Sequence, residues 1–181
     1  MTLETPVLLN QDQNTQPQPN DYKVEVSFVA PVYNEEENVL PLVNEIFKAG
    51  QTLNRSFEIL LVDDGSSDQT VPKLRKLTEA FPNLRVVCFK RNFGQTAATA
   101  AGFAYAQGRY IVTLDGDLQN DPADAPRLVD MLENENIDII QGWRKNRKDK
   151  ALSRKLPSAI ANWIIAKTTG IKTHDNGCSL K

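Results

Sequence analysis

Histidine, cysteine and long apolar runs are scarce in this chain of 181 residues, and each scarcity excludes a class of function. The two cysteines, Cys88 and Cys178, lie far apart, and no CxxC or Cys/His cluster accompanies them, so neither a disulfide framework nor a structural zinc site is indicated and a reducing compartment is expected. The single histidine, His174, reads as a surface residue rather than a catalytic base. Residues 7–9 are too few for a signal-peptide core, and no uninterrupted apolar run approaches the roughly 18 residues a membrane span requires. Neither GxGxxG nor GxxxxGK is present, which removes the main support for a dinucleotide fold or a P-loop.

What is present is the composition of a globular domain, 40% apolar and 24% charged, in a chain long enough to bury roughly 70% of the surface it exposes when unfolded. Nine of the eleven residues in 10–20 are Asn, Gln or Pro and cannot bury enough apolar surface to offset their ordering entropy. Residues 1–22 therefore read as a disordered tail and 23–181 as one domain. The net charge is −2, yet residues 144–155 hold seven bases and one acid. An acidic body argues against nucleic acid as a partner, whereas a confined basic segment suits phosphates, an anionic surface or simply a solvated loop.

From residue 24 onward, apolar runs of strand length (24–30, 58–62, 84–89, 110–114 and 137–141) alternate with segments of helical length. The runs are nearly continuous in Val, Ile and Leu, as in strands covered on both faces, so the fold class is α/β, a mostly parallel sheet flanked by helices on both faces. Asn38, Thr70 and Asp121 each precede a helix start, while Asn54, Pro82, Asn83 and Gly108 mark returns toward the sheet. The small residues between Asn92 and Gly108 read mainly as a helix packed closely on the sheet, with Cys88 in the core; a last helix is expected from Leu156 to Gly170.

In open sheets of this kind ligands bind outside the carboxyl ends of the strands. The first strand runs into Pro31, Tyr33 and a cluster Glu35, Glu36 and Glu37, which alone reads as a charged helix start. After the second comes Asp63-Asp64-Gly65-Ser66-Ser67-Asp68: an Asx-turn and helix cap explain Ser66, Ser67 and Asp68 but explain the doubled aspartate less well. After the fourth comes Asp115-Gly116-Asp117-Leu118-Gln119. Carboxylates two apart on extended backbone point the same way, so Asp115 and Asp117 suit a divalent cation such as Mg2+ shared with a diphosphate, with Gln119 as an added neutral oxygen. Arg91 to Gln95 could present a helix N-terminus to the same ligand.

Together APVYNEEEN, LLVDDGSSDQT, RNFGQTAATAAG, TLDGDLQNDP and HDNGCSLK resemble the family-2 inverting glycosyltransferases of the Rossmann-like GT-A fold, and more narrowly the polyprenyl-phosphate (dolichol-phosphate type) mannosyl- and glucosyltransferases, over residues 24–181. The resemblance implies a nucleotide pocket lined by Pro31, Tyr33 and Glu35, with Asp63 on the base and Asp64 close by. It implies Mg2+ or Mn2+ held by Asp115, Asp117 and Gln119, and Arg144 and Arg154 on donor or acceptor phosphate. Asp175 matches an acceptor-side aspartate; Asp117, Asp175 and Arg144 would carry catalysis. The implied partners are a UDP- or GDP-hexose and a polyprenyl phosphate, with action in the cytoplasm or at the cytoplasmic face of a membrane. The basic stretch and the helix around Trp163 permit peripheral membrane attachment, as a buried helix would equally explain.

Members of that family continue past a motif like HDNG, whereas this sequence stops at Lys181. The alternative expectation is therefore a nucleotide-sugar binding module with impaired transfer. A phosphatase of the haloacid dehalogenase type is disfavoured, because it places its aspartate pair on the first strand and prefers Thr or Val where Gln119 stands. A sugar-phosphate nucleotidyltransferase would need a Gly-rich opening that is absent.

Overall fold

The computed structural model describes residues 22–135, 137–142 and 180. The expected tail, the basic segment, the helix around Trp163, His174 and Cys178 lie outside the described residues, as do Arg144, Arg154 and Asp175.

Four parallel strands form the sheet in the order β3-β2-β1-β4: β1 Val24–Val32, β2 Phe57–Asp63, β3 Leu84–Cys88 and β4 Gly108–Thr113. Helices α1 (Val39–Thr52), α2 (Thr70–Ala80) and α3 (Gln95–Tyr105) connect them, and a 3-10 turn (Pro122–Asp124) leads into α4 (Ala125–Glu135). Side chains alternate across a strand. Accordingly Val26, Phe28 and Ala30 of β1, with Ile59 and Leu61 of β2, join Leu42, Val43 and Ile46 of α1, Leu74 of α2 and Val129 of α4 in one core. On the other face Val29 and Val62 meet Gly102 of α3. Both faces of the sheet are covered, which is why the strands read as unbroken apolar runs.

Three sequence readings change. Residues 137–141, expected as a fifth strand, belong to no strand; Ile139 is 75% exposed, and the Gly142 N–H donates to the Leu180 carbonyl at 2.9 Å. Among the described residues no strand pairs with this run, and apolar content alone does not make a strand. Gly108, expected as a return, is the first residue of β4. Cys88, expected in the core, is exposed because it ends β3, an edge strand. Among the described residues no helix is long and apolar enough to cross a membrane.

At the amino end of the sheet a charged group is buried in the α3 layer. Glu58 is 4% exposed and accepts from the Ser27 hydroxyl at 2.6 Å, the Gln107 N–H at 2.6 Å and Arg85 Nη1 at 2.5 Å. The Gly108 N–H donates to Ser27 Oγ at 2.8 Å, so the network ties β1, β2, β3 and the start of β4 together. Removing one partner of such a set leaves buried polar groups without bonds. Glu58→Ala is expected to lower the unfolding free energy by about 3 kcal/mol, read by urea denaturation, with Glu58→Gln losing less because it keeps an acceptor.

Candidate functional site

Strand order changes direction at β1, since the chain moves from β1 to β2 and β3 on one side and then crosses to β4 on the other. The crevice outside the carboxyl ends of β1 and β4 is therefore the switch point where ligands bind in open sheets. It holds a cavity of about 360 Å³. Pro31 lines it from the end of β1, Tyr33 and Glu35 from the loop after β1, Asp64 after β2, and Asp115 and Asp117 after β4. Two strand tips carrying acidic residues thus share one cavity with the loop after β1. Val32, Gly116, Asn92, Gly94 and Gln95 complete the lining, the last three brought there by the start of α3.

Gly116 allows the close approach. A Cβ there would stand 2.8 Å from the Pro31 carbonyl oxygen and 2.9 Å from Val32 Cγ1, so a side chain would push the Asp115 to Asp117 turn off the end of β1. Asp117 Oδ1 accepts from the Gln119 N–H at 3.2 Å, an Asx-turn that passes through Leu118 at φ 62°. Left-handed backbone at a branched apolar residue is strained, and such strain gathers at functional sites. The turn sends Gln119 away: its side chain lines a separate cavity with Glu45, Lys48 and Asn120. Of the three residues expected to hold a metal, the two aspartates come together in the switch-point cavity and Gln119 does not.

The doubled aspartate has two distinct structural tasks. Asp63 Oδ2 accepts the Gly65 and Ser66 N–H groups, both at 3.1 Å, and closes its own turn. Asp63 is 1% exposed and does not line the cavity, although its register partner Val32 and its neighbour Asp64 do. Its Oδ1 is buried without a hydrogen-bond partner. Asp64 reaches across to the α3 side, where Oδ1 accepts the Phe93 N–H at 2.8 Å and Oδ2 the Gly94 N–H at 2.9 Å. Sequence reasoning missed this tie, for no local pattern links an aspartate to backbone 29 residues away.

The loops after β1 and β2 staple each other. Asn34, at φ 54°, receives the Ser67 N–H on Oδ1 at 2.9 Å and donates its own N–H to Ser66 Oγ at 2.8 Å. The Glu35 N–H donates to Thr70 Oγ1 at 2.9 Å, and the Gln69 N–H to Glu36 Oε2 at 2.9 Å. Asn38 does stand at the N-cap of α1, but its amide donates to Glu35 Oε2 at 2.6 Å and so fixes a cavity carboxylate rather than the helix. Ser66 and Ser67 serve the neighbouring loop, whereas Asp68, just before the Gln69 N-cap of α2, accepts the Thr70 N–H at 2.9 Å and the Glu36 N–H at 3.3 Å. Burial opposes ionisation of Asp68, but bonds from the Thr70 hydroxyl and N–H and from the Glu36 N–H prevail and hold its carboxyl below the ordinary value of 3.8.

Residues 27–179 match the family described as Glycosyl transferase family 2. The chain is 51% identical over 160 residues to a dodecaprenyl-phosphate galacturonate synthase of Rhizobium johnstonii, a match covering 87% of this chain and 47% of that protein. It is 43% identical over 157 residues to an undecaprenyl-phosphate 4-deoxy-4-formamido-L-arabinose transferase of Salmonella choleraesuis, covering 86% of this chain and 47% of the relative. The chain thus spans about half the length of the curated relatives it matches. In fold it is similar to a mannosyltransferase from Pyrobaculum calidifontis solved with GDP-Man and Mn2+ (TM-score 0.54, 24% identity, covering 66% of this chain and 35% of that one). It is also similar to S. aureus TarS 1-349 solved with UDP-GlcNAc (TM-score 0.51, 24% identity, covering 62% and 32%).

Two outcomes follow from the loop geometry. Gly65 has φ 73°, and a Cβ on it would stand 2.3 Å from the Arg91 carbonyl carbon, backbone that has nowhere to go. Gly65→Ala should cost about 2–4 kcal/mol in urea denaturation, from left-handed strain plus overpacking. A lowered folded-state pKa gives Asp68 a stabilising contribution that is complete above its ordinary value and disappears as pH falls through the folded one. Asp68→Asn should therefore narrow the difference in stability between about pH 5 and about pH 3; an unchanged difference would assign the acid sensitivity to other carboxylates.

Proposed function

The chain belongs to glycosyl transferase family 2, and on that premise we propose that it transfers a hexose, with inversion, from a UDP- or GDP-sugar to a polyprenyl phosphate, assisted by Mg2+ or Mn2+ on the donor diphosphate. The observation that carries this reading is the meeting of Asp115 and Asp117 with Pro31, Tyr33 and Glu35 in one cavity at the switch point. The names of the two relatives, both of which couple a sugar to a polyprenyl phosphate, support the acceptor class.

The donor set fits a cation of this kind. Among the described residues no group of three or more His, Cys, Asp or Glu side chains gathers to hold a metal alone. Two carboxylates in an open cavity are instead what Mg2+ uses when substrate phosphates and water complete its shell. Bound there by Asp115 and Asp117, the ion would supply charge neutralisation of the departing diphosphate.

The remaining roles fall to the chain. Tyr33, Pro31 and Glu35 border the nucleoside side of the cavity, with Glu35 held by Asn38. Asp63 would meet the base through its orphaned Oδ1, but that atom is buried outside the cavity lining and would be reached only by a shift of the turn after β2. Asp64 shapes the cavity through the backbone at Phe93 and Gly94. A lipid monophosphate has a second pKa near ~6 and is largely dianionic at neutral pH, so it needs little deprotonation before it attacks. Asp175 then positions the acceptor or the sugar, and Arg144 and Arg154 meet phosphate charge; Gln119 would reach the cation only by a change in its turn.

Thermal unfolding with nucleotide diphosphates tests the reading. Ligand at about 100 times its Kd adds about 2.7 kcal/mol to apparent stability, so UDP or GDP should raise Tm in the presence of Mn2+. Asp117→Asn should abolish the Mn2+-dependent part of the rise; the same affinity in that variant would remove the metal role from the DGD turn.

A further inference from the structure

The first residue of α3 touches the metal-binding turn directly. Gln95 Nε2 donates to Asp115 Oδ1 at 3.0 Å, and Asn120 Nδ2 lies 3.5 Å from Asp115 Oδ2. Gln95 itself sits where it does because Asp64 accepts the two N–H groups just before it, at Phe93 and Gly94. A continuous line of bonds therefore runs from the tip of β2, through the first turn of α3, to the carboxylate after β4. A carboxylate oxygen accepts more than one bond, so the amide on Oδ1 fixes the Asp115 plane without by itself excluding a cation.

We propose that Gln95 is the positioning residue of the cation site: it sets the orientation of Asp115 before metal arrives, with Asp64 acting as the anchor that places Gln95. This rests on the reading of Asp115 and Asp117 as metal ligands. An amide suits the task. It donates to a carboxylate without adding charge, whereas a lysine in its place would compete with the cation and a glutamate would repel Asp115. Metal-ligating carboxylates generally need such a partner, and its loss weakens metal binding by 10- to 100-fold. The helix itself is not the source of the effect, since α3 remains held by Asp64 when the Gln95 side chain changes.

The test is Mn2+ binding to the chain, with UDP or GDP present, followed by the electron paramagnetic resonance of free Mn2+. Gln95→Met keeps the length of the side chain and removes its N–H donors; Gln95→Ala removes the side chain beyond Cβ. Both should weaken Mn2+ by about tenfold while leaving Tm in the absence of metal unchanged, because Gln95 is exposed. In sugar transfer the loss should appear in kcat at limiting Mn2+ and be recovered at high Mn2+, a rescue that a general structural defect would not give. Mn2+ affinity in Gln95→Met equal to that of the unmodified chain overturns the role of Gln95. Absence of Mn2+ binding by the unmodified chain overturns instead the reading of Asp115 and Asp117, so the two failures are distinguishable.

Discussion

Five carboxylates, those of Glu35, Asp63, Asp64, Asp115 and Asp117, end at one rim of a four-stranded sheet, and the need of each for hydrogen-bond donors is the constraint to which the surrounding loops answer. Each accepts at least one N–H: from the Asn38 amide, from the Gly65 and Ser66 backbone, from Phe93 and Gly94, from Gln95, and from Gln119. Hydrogen bonds to an ionised carboxylate are roughly twice as strong as neutral ones, and they fix where its unused lone pairs point. Negative charge can be concentrated at this edge because neutral donors stabilise it, leaving open the positions that a cation or a donor group on a ligand would take.

The loops meet that demand through long-range bonds rather than local turns. Asn34 binds residues 66 and 67, Glu35 and Glu36 bind the start of α2, and Asp64 binds the start of α3. The first turns of α2 and α3 are consequently positioned by groups on neighbouring strand tips. Close backbone approach is the geometric counterpart: Gly65 lies against Arg91 and Gly116 against Pro31, each at a place where a Cβ would not fit.

The opposite end of the sheet uses the same chemistry for another purpose. Glu58 is buried with three donors around one carboxylate and lines neither the switch-point cavity nor the one beside Gln119. Its bonds register the amino ends of the strands and so fix how far each carboxyl end projects into the crevice. A carboxylate with all its bonds made holds the sheet together at one end, and carboxylates with lone pairs to spare make a candidate site at the other.

Much of this is written in the order of residues. Unbroken Val, Ile and Leu runs separated by helical segments dictate a sheet covered on both faces, and strand-end carboxylates follow because chain direction places every such tip at one edge. The run at 137–141 shows the limit of that reasoning: apolar content gives an affinity for a sheet, yet among the described residues no strand includes it. Spacing likewise paired Asp115 with Asp117 for a cation and marked Asp63 with Asp64, but did not show how the tasks divide within that second pair. Only the folded chain assigns Asp64 to the α3 turn, sends Gln119 to a different cavity, leaves Asp63 Oδ1 unpartnered and sets Gln95 beside Asp115. Local sequence determines which groups reach the rim, but a hydrogen bond between positions 20 or 30 residues apart exists only once the sheet has brought their strands side by side.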